Sequence, residues 1–169
     1  HLSIRRQRQM CIRDRKKAPV ITELKDGGII CWVMASESLN LFQCHTILRK
    51  SLAHLIEEKP TSISIVCHLE KNLMKLWAEA AVYVALLNTS NLPSHKKDHK
   101  INPLKDIKLY GISLPADLKI ISASVKGNNL TRELTMTPPN NLTPLIYRKK
   151  IAKLAKQNKW KLKEYENDN

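Results

Sequence analysis

The sequence lacks most of the features that mark specialised classes of protein. Its 169 residues include only four glycines and one phenylalanine, which excludes collagen-like and linker-like chains. No apolar run approaches the roughly 20 residues that a membrane-spanning helix needs. The basic start of the chain is not followed by the apolar stretch of a secretory signal. We therefore expect a soluble, cytoplasmic protein with no membrane partner.

Cysteines are few, and none forms a C-x-x-C pair. Cys31 and Cys67 lie in apolar, strand-like runs, Cys44 lies on a helix-like segment, and Cys11 lies near the start of the chain. Such spacing does not match a zinc site or a disulfide framework. Buried free thiols in a reducing compartment are the interpretation that this pattern favours.

Motifs for catalysis and cofactor binding are also absent. The sequence has no Gly-rich phosphate loop, no G-x-S-x-G and no H-E-x-x-H. His95 and His99 are four residues apart and could share a helix face as metal ligands, but neighbouring lysines and flanking prolines favour a solvated loop. His45, His54 and His68 are isolated, as structural histidines are. The sequence therefore predicts no catalytic, cofactor-binding or metal-binding residue.

Acidic residues are fewer than basic ones: the sequence has 15 Asp and Glu and 29 Lys and Arg, which gives a net charge of +14. Residues 1–17 hold seven Lys or Arg and one Asp, so this short stretch supplies +6 of that charge. The other lysines are scattered over predicted helix surfaces, which favours a solvated surface over a nucleic-acid or membrane partner. Binding to duplex DNA is then expected to be weak, non-specific and strongly salt-dependent.

The first 15 residues, HLSIRRQRQMCIRDR, have no period that could bury a face. They resemble translated adaptor read-through at the end of a gene model, and a natural disordered basic arm is the alternative. Both interpretations predict no packed structure in residues 1–17. Deletion of residues 1–15 is therefore expected to leave the melting temperature unchanged.

From residue 18 onward, strand-like and helix-like segments alternate. The patterns predict strands at 20–24, 29–34, 62–67, 107–112 and 160–165, and helices at 36–58, 71–87, 117–135 and 143–158. Ser36 or Ser38 is the expected cap of the first helix. The second strand is nearly all apolar, so we expect it to be buried on both faces. This order predicts an α/β fold, a layered mixed sheet with flanking helices.

The last predicted strand has two possible interpretations. Trp160, Lys161, Lys163 and Tyr165 place aromatic rings among cations, as in a surface that stacks on nucleic-acid bases. The same alternation is typical of a strand with one buried face. The half-buried strand is the favoured interpretation.

Residues 127–147 read GNNLTRELTMTPPNNLTPLIY. This segment resembles the start of the catalytic domain in the leucyl aminopeptidase family, where an N-L-x-R-x-L helix leads through T-P-P-N-x-L-T-P into a second helix. The matching positions are Asn129, Leu130, Arg132, Leu134, Pro138, Pro139, Asn140, Leu142, Thr143 and Pro144. Two weaker similarities to the family's amino-terminal domain lie upstream, in CHTILRKSLAHLIEEKP and PLKDIKLYG.

The resemblance implies an interior fragment of a metallo-aminopeptidase. It implies a partial amino-terminal α/β domain at 18–114, a linking helix at 115–137 and a truncated catalytic domain at 138–169. The whole protein would remove N-terminal residues from peptides with two divalent metals, zinc or manganese, and would assemble as a homo-hexamer. Alternatives without catalysis are an assembly module and a nucleic-acid-binding module, since some family members bind DNA.

The family's metal ligands lie in G-K-G-x-x-F-D-x-G-G and N-T-D-A-E-G-R motifs, and neither occurs in this sequence. The nearest approach is Lys126-Gly127, which no Phe-Asp-x-Gly-Gly follows. No ligand or catalytic role therefore carries over to any position. The resemblance implies that this chain alone is inactive and holds no metal.

Overall fold

The computed structural model of the chain describes residues 19–93, 101–114 and 117–165. Within them lie strands β1 (Val20–Glu23), β2 (Ile29–Trp32), β3 (Ser62–Val66) and β4 (Asp106–Tyr110). The helices are α1 (Leu41–Glu57), α2 (Lys71–Thr89), α3 (Asp117–Met136) and α4 (Pro144–Asn158), with a 3-10 turn at Pro139–Asn141. The predicted α/β class is confirmed. No helix in these residues is long and apolar enough to cross a membrane.

Strands β1 and β2 form an antiparallel hairpin in which Val20 pairs with Trp32. Its turn uses Gly27 at a φ of +82° and the Asp26 carboxylate, which accepts a hydrogen bond from the N–H of Gly28 at 3.1 Å. The first two predicted strands are thus present and pair with each other. Complete burial of the second strand is wrong, because its first three residues are half-buried and Trp32 is 56% exposed.

Helix α1 begins at Leu41, five residues after the predicted start. Asn40 Oδ1 accepts a hydrogen bond from the N–H of Gln43, and Gln43 Oε1 accepts one from the N–H of Asn40, both at 2.9 Å. This reciprocal capping box satisfies two backbone donors. The predicted caps, Ser36 and Ser38, lie before the helix and bond to each other. Neither serine has a Glu or Gln three positions later, so neither can form such a box.

Strands β3 and β4 pair in parallel, with Ile63 opposite Ile107, and α2 lies between them in sequence. A parallel pair needs such a crossover connection. The two pairs of strands form separate two-stranded sheets. The predicted mixture of strand directions is present, but the described strands do not join into one sheet.

Helix α2 is the central element of the core. On one side, Val84 and Ala85 pack with Leu52 of α1 and Ile63 of β3. On another side, Val82 packs with buried residues of α3. The helix is therefore buried on two sides. Leu76 of the same helix is 41% exposed and lies outside this core.

Contacts divide the chain into two compact units, His1–Asn129 and Leu130–Asn169. The second unit contains the end of α3, the 3-10 turn and α4. Thr143 caps α4 by accepting a hydrogen bond from the N–H of Ile146 at 3.4 Å, and Pro144 occupies the first helical position. The predicted start of this helix is confirmed. Lys150 of α4 forms an ion pair with Glu133 at the end of α3.

Residues 160–165 do not form a strand. Trp160, Leu162 and Tyr165 are 62%, 44% and 81% exposed, so the predicted half-buried strand is wrong for this segment. The physical reason is that alternation only permits a strand, whereas a strand also needs a neighbouring backbone to pair with. None of the described strands pairs with this segment.

Three of the four cysteines lie in the described residues, and all three are free thiols. Cys44 and Cys67 are buried and Cys31 is half-buried. Buried free thiols are thus confirmed for the first two. Cys11 lies outside the described residues.

Candidate functional site

The carboxyl ends of β3 and β4 lie side by side and form the edge of a cleft. The N–H of Cys67, just after β3, donates a hydrogen bond to the carbonyl oxygen of Tyr110 at 3.0 Å. Gly111 follows with a φ of +90°, and a Cβ at this position would lie 2.4 Å from the carbonyl oxygen of Cys67. The two strand ends can approach this closely only because residue 111 has no side chain.

A cavity of about 560 Å³ lies at this edge and is broadly open to solvent. Its lining consists of Cys67, His68, Leu69, Glu70, Met74 and Gly111. The carboxyl ends of parallel strands are where α/β sheets usually bind ligands. Its position at these strand ends makes the cavity the candidate ligand-binding site of the described residues.

The chemistry of the cavity lining does not support nucleophilic catalysis. Burial raises the pKa of the Cys67 thiol above its ordinary value, so the reactive thiolate is disfavoured. The thiol packs among Ala78 and Leu114. His68 is exposed and Glu70 caps α2 without a side-chain hydrogen bond. The cleft can admit a small molecule, but its side chains do not form an activated nucleophile.

A second polar cluster joins α1, α2 and α3. The rings of His45 and Tyr83 stack with centroids 5.1 Å apart, and Asn128 Nδ2 donates a hydrogen bond to Tyr83 Oη at 2.6 Å. Burial lowers the pKa of His45 below its ordinary value. The neutral imidazole is thus the form that packs against the tyrosine. This cluster holds three helices together and confirms His45 as a structural histidine.

The described residues do not fit a two-metal centre. In residues 19–93, 101–114 and 117–165, no three His, Cys, Asp or Glu side chains come together in a way that could hold a metal ion. His54 and His68 are exposed. His95 and His99, the pair with ligand-like spacing, lie outside the described part of the chain.

The segment that carries the family resemblance spans α3, the 3-10 turn and α4. Asn129 Nδ2 donates a hydrogen bond to Ser90 Oγ at 2.8 Å. Beyond α3, the N–H of Asn141 bonds to the carbonyl oxygen of Pro138 at 2.9 Å, which closes the turn between the helices. These contacts stabilise a helix–turn–helix connection.

The comparisons with known proteins give a likeness of fold. No family model matches the chain, and no curated protein matches it in sequence. Among solved structures, a tomato leucine aminopeptidase mutant matches 88% of this chain with a TM-score of 0.72 and 19% identity. The bottromycin maturation enzyme BotP matches 87% of it with a TM-score of 0.63 and 17% identity.

These matches confirm the fold that the sequence predicts: the chain is structurally similar to the amino-terminal domain of an aminopeptidase. It covers 32% of the tomato chain and 34% of the BotP chain, so it spans about a third of either length. Identities below 20% show a fold and not an activity.

Sequence reasoning missed the close approach at Gly111 and the packing of His45 on Tyr83. The first had a signal, because a glycine directly after an apolar strand often marks a tight backbone contact. The second had none, because the two rings are 38 positions apart and only the packing of α1 on α2 brings them together.

Proposed function

We propose that the chain is part of a metal-dependent leucyl aminopeptidase. It would comprise the amino-terminal domain, the linking helix and the first elements of the catalytic domain. One observation carries the proposal: residues 127–147 match the family's motif without a gap, and they fold as the helix, proline turn and helix that the motif implies. The likeness to the tomato leucine aminopeptidase mutant over 88% of this chain supports it.

In this proposal the described residues contribute architecture and no step of hydrolysis. They do not fit the two zinc or manganese ions that the resemblance implies. The metal ligands would belong to the family's Asp-, Glu- and Lys-bearing motifs, which these 169 residues lack. The substrates of the whole protein would be peptides with a free N-terminus. A homo-hexamer in the cytoplasm is the assembly that the resemblance suggests.

The test is to sequence the gene beyond the codon for Asn169 and to express the longer reading frame. We expect an open frame that encodes both metal motifs. The longer protein should release leucine from a leucyl-amide substrate with zinc or manganese present, and a chelator should abolish this activity. The 169-residue chain, purified in parallel, is the control.

Two results would contradict the proposal. A stop codon directly after Asn169 in the genomic DNA would favour a module without catalysis. An open frame without either metal motif would remove the basis for any two-metal chemistry.

A further inference from the structure

We draw no further inference here: the strongest candidate, the open cavity at the carboxyl ends of β3 and β4, belongs to the site already described, and its lining residues do not indicate the chemical class of a ligand.

Discussion

At the scale of single residues, Gly111 is a position where the backbone does not tolerate a side chain. Its φ of +90° and the 2.4 Å between a Cβ and the Cys67 carbonyl oxygen allow no side chain. We expect Gly111→Ala to lower the free energy of unfolding by roughly 2–4 kcal/mol, because strain and a backbone clash combine. Urea denaturation followed by circular dichroism measures the change.

Gly127 provides the matched control for this substitution. It lies within α3, and an added Cβ would have no neighbour within 4 Å. Gly127→Ala should raise the free energy of unfolding by roughly 0.5–1 kcal/mol, because alanine is the better helix former. Equal effects of the two substitutions would contradict the close approach at Gly111.

His45 makes stability depend on pH. Burial lowers its pKa below the ordinary value of 6.5, so the folded chain holds the neutral imidazole. As pH falls through 6.5, the unfolded chain binds a proton before the folded chain does. The contribution of His45 is therefore complete above pH 6.5 and is lost as pH falls through the lower, folded pKa.

The measurement is the free energy of unfolding from pH 8 to pH 5 for the native chain and for His45→Gln. We expect the native chain to lose more stability than the variant over this range. A folded pKa of His45 above 6.5 by NMR titration would refute the argument.

At the scale of elements, the start of α1 shows how local chemistry decides a boundary. Sequence patterns predicted the helix but favoured Ser36 or Ser38 as its cap, whereas Asn40 and Gln43 form the capping box and the helix begins at Leu41. Serine and asparagine are similar as caps, so the cap residue alone does not locate the start. The start of the helix is set by the Gln43 side chain, which accepts a hydrogen bond from the N–H of Asn40.

This difference can be measured by substitution. We expect Asn40→Ala to lower the free energy of unfolding by about 1 kcal/mol, since the N–H of Gln43 loses its acceptor. Ser38→Ala should change it by less than about 0.5 kcal/mol, because the serine lies outside the helix. The reverse order in a denaturation experiment would support the boundary that the sequence favours.

The strands show what pattern reasoning can and cannot decide. The segments at β3 and β4 are apolar enough to be recognised, and both form. The segment at 160–165 has an equally clear alternation but pairs with no described strand. Alternation specifies which side chains share a face, whereas the presence of a pairing partner depends on distant parts of a chain.

At the scale of the whole molecule, we expect the 169-residue chain to be inactive as a peptidase. Hydrolysis by the family's chemistry needs two metals held close together by several carboxylates. The described residues contain no cluster of three or more His, Cys, Asp or Glu side chains that could hold a metal ion. The purified chain should release no leucine from a leucyl-amide substrate with excess zinc or manganese, and should retain no stoichiometric metal after dialysis. Turnover that a chelator abolishes would contradict this expectation.

The sequence by itself determined the class of fold, the positions of the four helices and the proline turn before α4. Hydrophobic periodicity, Pro and capping residues act within a few positions of the chain, so their effects can be inferred locally. The tertiary structure alone decided the burial of α2 on two sides, the stacking of His45 on Tyr83 and the exposure of Trp160. Those properties depend on which distant surfaces meet, and packing between distant segments leaves no fixed spacing in the sequence.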